Sequence, residues 1–100
     1  MLFSFLLFDR PDAAALPTSV LAEHRTYLGE MAGQIAFAGP LFGTDGKSTA
    51  GSLLVMDFAD RAAADAWLRD EPFTKAGVYG TSHVHVFQNR WPQRVGFPEV

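Results

Sequence analysis

Leu2-Phe3-Ser4-Phe5-Leu6-Leu7-Phe8 is the stretch on which the fold turns. It is rich in aromatic and aliphatic residues, and Asp9-Arg10-Pro11 bounds it, so it reads as a strand over residues 2–8. Side chains alternate across a strand. One face therefore holds Phe3, Phe5 and Leu7, and the other holds Leu2, Leu6 and Phe8 around Ser4. A strand that is apolar on both faces belongs in a sheet covered on both sides.

The rest of the chain supplies one of those covers. Residues 11–18 form a loop with two prolines. From about Ser19 to Met31, Val20, Leu21, Tyr27, Leu28 and Met31 fall on one helical face, with Ser19 as a cap and Gly33 as the stop. Residues 34–38 make a short second strand ending at Gly39-Pro40. The polar segment from Gly43 to Gly51 reads as a mobile hairpin tip, and Ser52 to Phe58 is a third strand. Asp60 caps a second helix that runs to about Arg69, and Pro72 ends it. Thr81 to Phe87 is the fourth strand. The order β-α-β-β-α-β in one domain is the ferredoxin-like split βαβ arrangement, an α+β fold with both helices on one sheet face. The loop between strands 2 and 3 is too short for a crossover helix, so these strands form an antiparallel hairpin.

Strand 3 repeats the pattern of the first, with Leu53 and Val55 on one face and Leu54, Met56 and Phe58 on the other. Two helices cover only one face. The expected cover for the second is another copy of the chain, giving a homodimer with its sheets packed face to face. The apolar tail, residues 89–100, is expected to lie against the partner, leaving residues 1–88 as the folded domain.

Composition narrows the function. Hydrophobic residues make up 48% of the 100 residues and charged ones 19%, which suits a globular chain rather than a disordered one. The net charge of −3 argues against nonspecific nucleic-acid binding. No cysteine is present, which removes disulfides, thiolate nucleophiles and Cys-containing metal sites. No apolar run reaches the ~20 residues of a membrane span. The apolar start lacks a basic segment and a small-residue cleavage site, so the expected location is the cytoplasm, with no membrane partner.

Three places carry possible chemistry. His24 lies four residues after Val20 and four before Leu28, on the apolar stripe of its helix. It reads either as a core histidine satisfied by a backbone carbonyl or as a general acid–base in a dry pocket. Asp70-Glu71-Pro72-Phe73 puts two carboxylates at a helix C-terminus, unfavourable for the helix dipole. It reads either as a solvated turn or as a carboxylate pinned by Pro72 and aimed at His24. His83 and His85 share a strand face. Their spacing with His24 dictates no metal site, and neither metal nor cofactor is expected. Gly46-Lys47-Ser48 lacks the first glycine of a P-loop.

The chain resembles the YCII (YciI-like) family over roughly residues 1–88. The matching pieces are His24, Ala38-Gly39-Pro40-Leu41, Gly51-Ser52, Ala66-Trp67, the stretch Glu71-Pro72-Phe73-Thr74-Lys75-Ala76-Gly77-Val78-Tyr79, and Val84-His85-Val86-Phe87. The resemblance implies a dimeric α/β barrel of ferredoxin-like subunits and a pocket with a histidine and an acid as a catalytic pair. The histidine corresponds to His24. The family's acid is an aspartate directly before the proline; here that position is Glu71, with Asp70 one residue earlier. Gly39, Pro40, Ser52, Phe73 and His85 are the expected ligand-binding residues. The expected function is a small cofactor-free enzyme performing acid–base chemistry, by elimination, hydrolysis or isomerisation, on a small, possibly aromatic molecule. The alternatives are a non-catalytic metabolite-binding or regulatory dimer and a cofactor-independent monooxygenase.

Overall fold

The computed structural model describes residues 1–13 and 18–91. Its elements are β1 (Leu2–Asp9), α1 (Thr18–Gly29), β2 (Ile35–Phe42), β3 (Thr49–Asp57), α2 (Arg61–Asp70), α3 (Pro72–Lys75) and β4 (Tyr79–Phe87). The strands form one antiparallel sheet in the order β2-β3-β1-β4. This is the ferredoxin-like α+β topology expected from the element order. The apolar tail lies mostly outside the described residues.

Strand registers sort the side chains into two faces. Phe3, Phe5 and Leu7 of β1 stand opposite Met56, Leu54 and Ser52 of β3. The three β1 side chains and Met56 are fully buried, and Leu54 is buried. On this face Phe5 meets Phe58 and Trp67 edge-on, with centroids 6.0 and 5.5 Å apart, the favoured geometry for aromatic pairs. Asp60 caps α2 by accepting from the Ala63 N–H at 2.8 Å. That helix buries Ala64, Trp67 and Leu68. Helix α1 is different: Tyr27 and Leu28 pack on the core, yet none of its residues is fully buried. Tyr27 joins it to α2 by stacking on Trp67 and donating to the Trp67 carbonyl at 2.9 Å.

Several boundaries differ from those read in the sequence. Helix α1 stops at Gly29, and a 3-10 turn at Ala32–Gln34 occupies the place where Gly33 reads as the stop. Gly39-Pro40 does not end β2, which continues to Phe42. As an edge strand it has one unpaired side, and there a proline without an N–H is tolerated. Strand β3 starts earlier, at Thr49. The hairpin tip is tied down by Asp45, which accepts from the N–H groups of Lys47 and Ser48 at 2.9 Å each and from Ser48 Oγ at 2.6 Å. These bonds hold its carboxyl down at about 2.

Candidate functional site

A cavity of about 500 Å3 opens between α1 and the sheet. Leu21, His24, Arg25 and Leu28 line it from the helix; Asp9, Pro40, Thr49, Ser52 and Leu54 are among the sheet residues facing them. It explains why α1 buries nothing fully: part of its inner face looks onto open space. Gly39, Pro40, Ser52 and Phe73, four of the expected ligand-binding residues, belong to its wall.

Glu71 is the pivot. Its backbone N–H caps α2 by donating to the Leu68 carbonyl, while its side chain caps α3 by accepting from the Phe73 N–H. Pro72 takes the first position of α3, where its missing N–H is no loss. The sequence places this carboxylate at an unfavourable helix C-terminus; the short α3 converts it into an N-cap, where a carboxylate is favoured. Glu71 is only 1% exposed. Such burial is very costly for a carboxylate without partners, and three donors meet it. His24 Nδ1 lies 2.6 Å and the Phe73 N–H 3.1 Å from Oε1, and Tyr79 donates to Oε2 at 3.0 Å.

A carboxylate only accepts. The network therefore assigns the imidazole proton to Nδ1, and Nε2 is the nitrogen left for a ligand. The ring also lies flat on Phe73, with centroids 3.8 Å apart and planes within 2°. The imidazole is thus held from one side by a stack and at one nitrogen by a bond, which fixes its orientation at the cavity wall.

Tyr79 is a site residue that sequence reading misses. Regular alternation along β4 would turn it to the far face, away from the cavity. The register between β1 and β4 shifts at Phe8/Asp9: Phe8 pairs with Thr81 but Asp9 with Tyr79, leaving Gly80 as the extra residue. This irregularity re-aims the phenol toward Glu71. Burial is the first cause that pushes its ionisation upward, followed by the Glu71 charge and hydrogen bond; the Ser52 hydroxyl acts the other way. Asp9, a cavity residue that sequence reading takes only as a strand terminator, has its pKa raised by burial.

Two expected site residues lie elsewhere. Asp70 is exposed and sits 3.6 Å from Arg69 Nε; as the last residue of α2 it points away while Glu71 takes the contact. His85 pairs with Ser4 across the sheet, which places it on the face opposite the cavity. His83, opposite Leu6, shares that face, so the three histidines do not converge. Among the described residues no group of three or more His, Cys, Asp or Glu side chains is placed to hold a metal ion. No helix among them is long and apolar enough to cross a membrane.

The family model described as the YCII-related domain matches residues 1–88. The chain belongs to the YCII-related domain family. Among solved structures it is similar to the 5-chloro-2-hydroxyhydroquinone dehydrochlorinase TftG from Burkholderia phenoliruptrix AC1100, determined with 2,5-dihydroxybenzoquinone. The two share 30% identity over 88% of this chain and 94% of the other, at a TM-score of 0.79. An antibiotic biosynthesis monooxygenase aligns over 92% of this chain and all of the other at 21% identity and a TM-score of 0.49. No curated protein matches the sequence significantly.

Proposed function

We propose that this YCII-family protein is a small enzyme that moves a proton on a hydroxylated or quinonoid ring held in the cavity between α1 and the sheet. The observation that carries this reading is the 2.6 Å contact between His24 Nδ1 and the buried Glu71, beside a cavity large enough for a single ring. A carboxylate bonded to one imidazole nitrogen fixes the tautomer and stabilises the charge that develops when the other takes up a proton. His24 would accept or return that proton and Glu71 would hold it for the task. The same chemistry serves elimination, hydrolysis or isomerisation. The similarity to a dehydrochlorinase of a chlorinated hydroxyhydroquinone supports a substituted aromatic ring as the substrate class.

A screen of hydroquinones, hydroxyquinones and their chlorinated forms, with wild type beside His24→Ala, tests the reading. Turnover of at least one compound by the wild type is expected, with a loss of roughly 100-fold or more in the variant, the usual scale of a general acid–base. Binding of the same compounds without turnover in either protein would favour a non-catalytic metabolite-binding role.

We also propose that the protein acts as a homodimer through the sheet face opposite the helices. Leu2, Leu6, Phe8, Leu41, Leu53 and Phe87 share that face by register.

A further inference from the structure

Asp9 is the acidic group lining the cavity that the acid–base pair leaves unused. It ends β1 on the helix-covered side, where the register shift sets it beside Tyr79. It lines the cavity from the sheet, while His24 lines it from α1. Its neighbour Arg10 is engaged elsewhere, with Nε 3.7 Å from Asp12. Among the described residues the Asp9 carboxyl has no hydrogen-bond or ion-pair partner. The groups that face it are Tyr79 from β4, whose hydroxyl is bonded to Glu71, and His24 and Arg25 from α1 across the cavity. Of these only Arg25 carries a fixed positive charge, and it stands on the opposite wall. Burial disfavours the ionised carboxyl, which favours the form that carries a proton to give.

We propose that Asp9 is a second ligand-contacting acid of this cavity, donating a hydrogen bond from the sheet side to an oxygen of the ring whose proton His24 handles from the helix side. The proposal rests on the acid–base reading of the cavity and adds the group that such chemistry needs at its far end. For a cyclic ketone the step balances without a co-reactant. His24 Nε2 takes a proton from the carbon beside the carbonyl, and the C–H electron pair becomes the C=C bond. The carbonyl π pair moves to oxygen, and the Asp9 proton joins it to give the enol. His24 is left protonated and Asp9 ionised; proton exchange with solvent restores both. A proton acceptor at one end of a shifting electron pair and a proton donor at the other are the arrangement that general acid–base catalysis exploits. The ligand class is accordingly a ring bearing at least one hydroxyl or carbonyl oxygen.

The probe is 2,6-dimethyl-1,4-benzoquinone, whose carbonyl oxygens only accept and which has no group that ionises, followed by NMR titration with wild type, Asp9→Asn, Asp9→Ala and His24→Ala. The wild type is expected to bind best at the acidic end and to lose about tenfold in affinity as Asp9 ionises, because a donor becomes an acceptor facing oxygen. Asp9→Asn, whose amide donates at every pH, is expected to bind without that loss. Asp9→Ala is expected to bind about fivefold or more weakly at the acidic end. The loss is expected to persist in His24→Ala, which separates it from titration of the imidazole. Equal binding by wild type and Asp9→Ala, or the same loss in Asp9→Asn, overturns the proposal. No binding by the wild type overturns it together with the ring-substrate reading. If Asp9 behaves as expected while His24→Ala leaves turnover unchanged, the acid–base reading fails and the Asp9 contact stands.

Discussion

Glu71 is buried at 1% exposure, and each hydrogen bond it receives bears on stability as well as on chemistry. The Tyr79 hydroxyl is the donor that a single substitution removes most cleanly. Tyr79→Phe keeps the ring that meets Phe73 edge-on at 6.1 Å and deletes the bond to Oε2. A hydrogen bond to a charged group is worth about 1.5–3 kcal/mol, so the variant is expected to be less stable than wild type by that order at neutral pH. The pH dependence moves the other way. The folded chain holds the Tyr79 proton above its ordinary value of 10.0, and the unfolded chain releases it there. Above pH 10 the unfolded state therefore binds fewer protons than the folded one, and stability falls as pH rises. In urea melts, Tyr79→Phe is expected to flatten this alkaline decline. A smaller part remains with Tyr27, whose ionisation is raised first by burial and then by Asp70 and Glu71. An equally steep decline in the variant would mean that Tyr79 does not hold its proton in the fold.

Elements decide which residues meet, and here sequence is an uneven guide. The pairing of His24 with Glu71 is legible in part: a histidine interrupting an apolar helical stripe and two acids before a proline are local signals, the family resemblance joins them into a pair, and only the folded chain chooses Glu71 over Asp70. Tyr79 is not legible, because the register shift opposite Asp9 exists only once β4 is paired with β1. His85 is misplaced for a related reason. Alternation says that His85 shares a face with Ser4, but when both faces are apolar it does not say which one the helices cover. Gly51 shows the converse, a residue whose type makes sense only in the paired sheet. It lies opposite Phe8, and a Cβ there would run into the Leu7 carbonyl oxygen of the adjacent strand. The obstacle is backbone, so no side chain can swing aside. Gly51→Ala is expected to cost at least the ~1–3 kcal/mol typical of overpacking, and to disturb the cavity wall that Gly51 helps to form. Chemical denaturation measures the first effect and NMR titration with 2,6-dimethyl-1,4-benzoquinone the second. A variant as stable as wild type would show that β1 and β3 can separate there without loss.

At the scale of the molecule the unanswered demand is the sheet face away from the helices. Core packing accounts for Phe3, Phe5 and Leu7, which are fully buried within one chain. The alternate set is not so accommodated: Leu2 and Leu6 are half-buried and Phe8 remains 41% exposed. An apolar sheet face is the kind of surface that a second sheet covers. The expectation is a homodimer with the two open faces opposed, and light scattering at micromolar concentration should return twice the mass of the chain. Phe8→Glu is the discriminating variant. The ring lies outside the core cluster, so its replacement leaves the intrachain core untouched. In a two-fold dimer the substitution acts twice. Each buried phenyl contributes about 1.5–3 kcal/mol, and each new carboxylate would be desolvated without a partner. Phe8→Glu is therefore expected to run at the mass of a single folded chain, with circular dichroism like that of wild type. A wild-type protein that already has the single-chain mass removes the face-to-face dimer, and a Phe8→Glu protein that keeps the doubled mass moves the interface to another surface.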